Sequence, residues 1–168
     1  MGGGQVAAYA VKEIRKIDNF SELTIISEEE CLPYERPPLS KDCLLGKMSF
    51  EKCLFFNKNF YEENKINFIK DTKITSADFK NQKIFSSKGE SYNFDKLLIA
   101  TGSKNKNLII GKKKMIPDEN LIYLRNIKDS LKLKNKINLA KDIIIIGGGF
   151  IGLEIASAAS QLGKKVII

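Results

Sequence analysis

Residues 143–152 read IIIIGGGFIG, and this segment predicts the fold class of the chain. Its four isoleucines predict a strand that is buried on both faces of a sheet, and a helix is predicted to follow, ending near Leu162. Gly147, Gly149 and Gly152 lie between them at the G-x-G-x-x-G spacing of a dinucleotide-binding turn. The first glycine permits the tight turn, the second lets the backbone approach a pyrophosphate, and the third allows close packing of helix on strand. The alternative is a merely structural β-turn-α unit.

A second copy of the pattern opens the chain. Gly2, Gly4 and Ala7 occupy the same three positions 145 residues before Gly147 and its partners, and alanine is permitted in the last position. Each turn would place a pyrophosphate at the positive end of the helix that follows. Glu28 comes after a predicted strand, at the spacing expected of a carboxylate that binds ribose hydroxyls. The alternative for Glu28 is a place in a charged surface turn.

The remaining patterns predict short elements between the two copies. Prolines in residues 32–39 predict a loop without regular structure, and Ser40 is predicted to cap a short helix. Residues 104–120 predict an exposed connection. Strands are predicted at 23–27, 66–69, 73–77, 83–86, 91–94 and 166–168, a fully buried strand at 97–100, and helices at 49–56 and 127–133.

Composition excludes several kinds of chemistry. The 168 residues carry a net charge of +8 and no histidine, which excludes imidazole catalysis and histidine-ligated metals within this chain. Cys31, Cys43 and Cys53 lack metal-type spacing, so we expect a reduced, cytoplasmic protein with free thiols and no metal. The lysines are scattered singly, which favours a solvated surface over a nucleic-acid partner. No apolar run is long enough to span a membrane, and nothing indicates a secretion signal.

Both copies of the repeat look incomplete. Only Met1 stands where a strand should precede Gly2. The acidic position that follows the second turn would fall near residue 173 by the spacing of the first copy, which is beyond Ile168. We therefore expect an α/β chain that is truncated at both ends.

Two such turns, with Ala100, Thr101 and Gly102 ending a strand between them, resemble the two-dinucleotide-binding flavoprotein oxidoreductases. The segment LPYERPPLSK, residues 32–41, resembles the P-Y-x-R-P-P-L-S-K signature of NADH-dependent ferredoxin and rubredoxin reductases, which apoptosis-inducing factor shares. The resemblance implies a Rossmann-like FAD-binding domain over residues 1–137, with a small β insert at about 66–94. It also implies the start of an inserted NAD(P)-binding domain at 138–168.

Matched by position, the resemblance implies a set of cofactor-binding residues. The first turn would hold the FAD pyrophosphate, and Glu28 would bind the FAD ribose. The second turn would hold the pyrophosphate of NAD(H). Lys41 would lie close to the flavin ring, and it is the one residue given a catalytic role, because a cation there can stabilise negative charge on the ring. Glu154 would accept from the nicotinamide carboxamide; the alternative is a helix-surface carboxylate favoured by the helix dipole. The full set is Gly2, Gly4, Ala7, Glu28, Arg36, Lys41, Ile74, Thr101, Gly102, Arg125, Gly147, Gly149, Gly152 and Glu154.

The implied activity is electron transfer from NADH through FAD to a ferredoxin- or rubredoxin-type iron–sulfur protein. A redox disulfide is not expected, because Cys43 and Cys53 are ten residues apart and form no C-x-x-x-x-C pair. The alternatives are a related NADH oxidase, a redox sensor like apoptosis-inducing factor, or a gene remnant. We expect no submicromolar FAD binding and no turnover by these 168 residues alone, and NAD rather than NADP is implied by the resemblance only.

Overall fold

The computed structural model of the protein describes residues 1–108 and 120–168. These residues form two compact units: Met1–Glu35 with Leu54–Ser103, and Arg36–Cys53 with Lys104–Ile168. In chain order the elements are α1 (Gln5–Ile17), β1 (Leu23–Ile26), a 3-10 helix (Pro37–Ser40), α2 (Asp42–Leu45), a second 3-10 helix (Phe50–Cys53), α3 (Lys58–Glu63), β2 (Ile66–Ile69), β3 (Ile74–Asp78), β4 (Lys83–Ser86), β5 (Ser91–Asn93), α4 (Ile127–Leu139), β6 (Asp142–Ile144), α5 (Phe150–Gln161) and β7 (Lys165–Ile167).

The first unit is built on the parallel pair β1–β2. Ile26 lies opposite Ile69 at the end of the pair, and the N–H of Gly2 donates to the carbonyl of Ile26 at 2.8 Å. Helix α1 covers this pair through buried Ala7 and Val11, which contact Ile25, Tyr61 and Ile66 in the unit's apolar core. The hydrogen bond from Gly2 therefore joins the start of the chain directly to the carboxyl end of β1.

Arg15 ties the end of α1 to the turn before β2. Its side chain is buried, and its three guanidinium nitrogens donate to the carbonyls of Asn64 at 2.7 Å, Asp18 at 3.1 Å and Lys65 at 3.1 Å. Because these carbonyls face the protein, the guanidinium satisfies acceptors that water reaches poorly. The first unit also contains the antiparallel sheet β3–β4–β5, which covers residues 74–93 of the β insert predicted at about 66–94. Strand β2, at the start of that predicted insert, pairs with β1 instead.

The second unit contains the other parallel pair, β6–β7, with α5 as the crossover between them. Ile144 lies opposite Ile167, and buried Ala158 and Ala159 of α5 pack into a core with Leu44 and Ile137. Small alanine side chains let the helix approach its neighbours closely.

Helix α4 is longer than the predicted 127–133 and ends at Leu139. Ser130 and Ile137 are both buried, seven residues apart on one helix face, and the lysines between them conceal this periodicity in the sequence. A capping box starts the helix, since the Asn126 side chain accepts from the N–H of Asp129 at 2.9 Å and the Asp129 carboxylate accepts from the N–H of Asn126 at 3.1 Å.

Two predictions of fully buried strands are wrong. Residues 97–100 form no strand, and Leu98 and Ile99 are about half exposed; Met1 donates to the carbonyl of Leu98 and accepts from the N–H of Ala100. Met1 is the single residue paired with this segment among the described residues, and one residue makes too short a ladder for a strand. The strand predicted at 143–146 exists as β6, but Ile144 and Ile146 are exposed because, among the described residues, β6 pairs with β7 alone.

The proline segment also differs from its prediction. Pro37–Ser40 is a 3-10 helix, because proline is tolerated in a first helical turn, where its missing N–H is not needed. Ser40 does not cap α2; Lys41 occupies the N-cap position and makes no side-chain cap. The predicted helix at 49–56 is the short 3-10 helix Phe50–Cys53.

The other predicted strands and helices are present with ends shifted by one or two residues. Residues 104–107 are exposed, as expected of the connection predicted at 104–120, and 109–119 lie outside the described residues. In the described part of the chain, no helix is long and apolar enough to cross a membrane.

Candidate dinucleotide-binding sites

The first glycine turn has a backbone that only glycine fits. Gly2 has φ +108°, and a Cβ added there would lie 2.1 Å from the carbonyl oxygen of Ala100 and 3.1 Å from the N of Thr101. Gly3, which the motif spacing leaves out, is equally crowded, because its Cβ would lie 2.2 Å from Oγ of Ser27. The turn therefore presses against the carboxyl ends of β1 and of the 97–100 segment, and this places Thr101 beside Gly2.

Gly4 marks the open side of the same turn. It is the N-cap of α1, makes no side-chain cap, and has no atom within 4 Å of the position a Cβ would take. The first turn of α1 holds no acidic residue, and Ala7 is buried beneath it. Uncapped N–H groups beside open space at a helix N-terminus suit a phosphate group, so this turn fits the diphosphate of a dinucleotide.

Glu28 forms an ion pair with the residue that precedes Ile74 in the first unit. Oε1 of Glu28 is 3.1 Å from Nζ of Lys73, the residue before Ile74, and both charged groups are exposed. An exposed carboxylate just after β1 is available to ribose hydroxyls, and its surface ion pair contributes little to stability. Gly102, also exposed, takes a left-handed conformation with φ +69° directly after Thr101.

The second glycine turn repeats the geometry of the first. Gly147 has φ +112°, and Gly149 is the N-cap of α5 with no side-chain cap and nothing within 4 Å of its Cβ position. Gly152 is crowded, since a Cβ there would lie 2.2 Å from the carbonyl oxygen of Gly147. This turn therefore has the same open cradle at the helix N-terminus and fits a second diphosphate.

The proline segment is held by two contacts near the start of α4. The Arg36 guanidinium donates to the carbonyl of Arg125, whose own N–H donates to the Asp129 carboxylate at 2.9 Å. Ser130 donates to the carbonyl of Leu39 at 2.9 Å in a buried hydrogen bond. These contacts fix the 3-10 helix, which in turn fixes the backbone of Lys41.

Lys41 and Glu154 form an ion pair in the second unit. Nζ of Lys41 lies 3.1 Å from Oε1 of Glu154, and the Ser40 hydroxyl donates to Oε2 of the same carboxylate. The Ser40 hydrogen bond and, after it, Lys41 hold the pKa of Glu154 below its ordinary value. Glu154 is therefore ionised at neutral pH and holds the Lys41 ammonium beside the second turn of α5.

Four predicted positions are thus brought together in two unexpected pairs. Arg36 contacts Arg125, and Lys41 contacts Glu154, although the sequence suggested a separate role for each. Ser40 and Ser130 were missed as positioning residues, because a lone serine gives no signal of a distant partner. The Asn126-x-x-Asp129 capping pattern was also readable from the sequence, and it agrees with the start of α4 at Ile127, which was predicted correctly. Across residues 1–108 and 120–168, no three cysteine, aspartate or glutamate side chains converge as a metal site requires.

The structure contains two glycine turns, each at the end of a parallel strand pair and each opening a helix. Such turns define the class of protein that binds two dinucleotides on an α/β framework. The whole chain, residues 1–168, matches the family model described as pyridine nucleotide-disulphide oxidoreductase. The chain belongs to this family.

Two relatives and one solved structure show which members of this family the chain resembles. The chain is 32% identical over 168 residues to rubredoxin-NAD(+) reductase of Ectopseudomonas oleovorans, covering 100% of this chain and 43% of the relative. It is 34% identical to the ferredoxin--NAD(+) reductase component of the p-cumate 2,3-dioxygenase system of Pseudomonas putida, covering 100% of this chain and 41% of the relative. The crystal structure of a covalent putidaredoxin reductase–putidaredoxin complex matches with a TM-score of 0.88 and 26% identity, over 98% of this chain and 40% of that one. The chain thus spans less than half the length of these proteins.

Proposed function

We propose that this chain provides the FAD- and NADH-binding segments of an oxidoreductase that passes electrons from NADH, through flavin, to a ferredoxin- or rubredoxin-type iron–sulfur protein. The observation that carries the proposal is the Lys41–Glu154 ion pair, which joins the proline segment to the helix of the second glycine turn. The names of the reductase relatives support the choice of acceptor. We also propose that the protein is cytoplasmic, because an odd number of cysteines without metal-type spacing is typical of a reducing compartment.

In the first unit, we assign the adenosine diphosphate end of FAD. Gly2, Gly4 and Ala7 would hold the diphosphate at the N-terminus of α1, where the open position beside Gly4 leaves it room. Glu28 would accept from the ribose hydroxyls. The remaining assignments here are backbone contacts by Ile74, Thr101 and Gly102.

In the second unit, we assign the flavin contacts and the dinucleotide of NADH. Arg36, Lys41 and Arg125 would contact FAD, while Gly147, Gly149 and Gly152 would form the cradle for the NADH diphosphate. We place the boundary between the FAD domain, residues 1–137, and the start of the NAD(P) domain, residues 138–168, just before β6 and near the end of α4.

The side chains around the ion pair have separate tasks. FAD, when bound, supplies hydride acceptance from NADH and the release of single electrons. The Lys41 ammonium would stabilise negative charge at the flavin ring, and ionised Glu154 orients that ammonium. Ser40 fixes the carboxylate from its other oxygen. None of these tasks requires a nucleophile or imidazole, and the chain has no histidine.

Acceptor specificity tests the proposal. The holoprotein would be purified, its flavin content measured, and the rate of NADH oxidation compared with a plant-type ferredoxin, with rubredoxin and with dioxygen as acceptors. We expect an iron–sulfur protein to be reduced at least about tenfold faster than dioxygen. Reduction of dioxygen alone would identify an NADH oxidase, and a flavin-loaded protein containing these residues that oxidises NADH with none of the three acceptors would contradict the proposed activity.

A further inference from the structure

Cys43 and Cys53 form a sulfur pair that the proposed electron transfer does not use. Their Sγ atoms lie 3.3 Å apart, and both residues are 1% exposed. The ten-residue spacing in the sequence gives no indication of this contact. Cys31, the remaining cysteine, is less buried and lies in the other unit.

The local fold explains how the two thiols meet. Cys43 lies in α2, which ends at Gly46 with φ +76°, and the chain then turns back into the 3-10 helix that ends at Cys53. A disulfide has an S–S distance of about 2.0 Å, so the two sulfurs need approach by only about 1.3 Å more. Both ends of this link lie within one short segment, residues 43–53.

The sulfur pair is covered by a thin layer of chain. Sγ of Cys53 lies 3.8 Å from Sδ of Met48 and 3.8 Å from the carbonyl oxygen of Ser49. Residues 46, 47, 49, 51 and 52 of the same segment are exposed. A small oxidant can reach the thiols when this short segment opens locally, without unfolding of the unit.

We propose that Cys43 and Cys53 are a modification site at which hydrogen peroxide converts two thiols into a reversible intramolecular disulfide. One thiol attacks peroxide, giving a sulfenic acid and a molecule of water. The second thiol then displaces the sulfenic oxygen, so that the S–S bond forms and a second water leaves; each of the two waters carries away one thiol proton. Two electrons pass from the sulfurs to peroxide, and an added dithiol returns them. This chemistry needs neither FAD nor NADH, so it stands or falls independently of the proposed electron transfer.

Peptide mapping of the full 168-residue chain tests the site. The folded chain would be treated with hydrogen peroxide, alkylated in denaturant and digested with trypsin, which cuts after Lys41, Lys47, Lys52 and Lys58. We expect peptide 42–47 joined to peptide 53–58, with peptide 48–52 released between them. The thiol titre should fall from three to one in the native chain and return to three after treatment with dithiothreitol.

A Cys31→Ser variant is the matched control, because it keeps both members of the pair and removes the third thiol. In this variant the titre should fall from two to none, with the same linked peptides. Any one of three results would overturn the proposal. These are linkage of the Cys31 peptide to either partner in the native chain, recovery of Cys43 and Cys53 as alkylated thiols, and their recovery as two separate sulfinic acids. A Cys43→Ser variant should lose the linked product, and its thermal unfolding checks that it folds.

Discussion

Nζ of Lys41 lies 3.1 Å from Oε1 of Glu154, which joins the residue after the proline-rich 3-10 helix to the second turn of α5. The pair is partly solvated, with Lys41 50% and Glu154 29% exposed, so it contributes little to the free energy of unfolding. Its importance is positional, because it fixes a cation at the helix of the second glycine turn.

A Lys41→Gln substitution removes this cation while keeping a side chain of similar length. In the holoprotein we expect the rate of flavin reduction by NADH to fall about 10- to 100-fold, because the variant lacks the positive charge that stabilises negative charge on the flavin ring. Lys47→Gln is the matched control, since Lys47 is an exposed lysine of the same segment. Stopped-flow bleaching of flavin absorbance measures both variants, and equal rates would remove the catalytic role of Lys41.

The Ser40–Glu154 contact predicts a defined pH dependence. Because the folded-state pKa of Glu154 is lowered, its contribution to stability is fully present above the ordinary glutamate pKa of about 4.3 and is lost as pH falls through the lowered value. The contribution is about 0.5 kcal/mol for such a partly exposed group. Thermal unfolding at pH 7 and at lower pH should therefore show a gap between native chain and Glu154→Gln that closes in acid. A gap that widens in acid would contradict this sign.

Alanine variants of Gly149 and Gly152 test two different roles in the second glycine turn, NADH binding and helix packing. Gly152→Ala places a Cβ 2.2 Å from the carbonyl oxygen of Gly147, and we expect unfolding to become easier by about 2 kcal/mol. Gly149→Ala meets no atom within 4 Å, so its melting temperature should stay close to that of the native chain. In the holoprotein the Gly149→Ala methyl group should weaken NADH binding at least about tenfold, because it fills the open cradle. Calorimetry and NADH titration together test the pair, and equal stability of the two variants would show that the turn yields to a methyl group.

Ser130 offers a test of the buried contact beneath the proline segment. Ser130→Ala leaves the Leu39 carbonyl without its 2.9 Å donor, and we expect a loss of about 1–2 kcal/mol in the free energy of unfolding. Ser160→Ala, on the exposed side of α5, should change stability by less than about 0.5 kcal/mol. Urea denaturation of both variants is the measurement. The Ser130 hydrogen bond would be judged unimportant if the two midpoints coincided.

Local patterns predicted much of this molecule, whereas contacts between distant residues were not predictable. The glycine spacing located both turns, because Gly2 and Gly147 need a positive φ and because Gly2 and Gly152 leave no room for a Cβ beside backbone atoms. Burial was overestimated at 97–100 and at β6, since an apolar run reports hydrophobicity but not the number of strands that pair with it. The Lys41–Glu154 contact joins residues 113 positions apart in the sequence, and single-sequence reasoning contains no information on such pairs.

The two parallel strand pairs differ greatly in how far apart their partners lie along the chain. In β1–β2, residue 26 faces residue 69, 43 positions later, whereas in β6–β7 residue 144 faces residue 167, 23 positions later. Loop closure costs more entropy as the loop lengthens, and contacts between nearby residues form faster. The β6–α5–β7 unit is therefore the part of the chain expected to nucleate first during folding, with the β1–β2 pair closing afterwards.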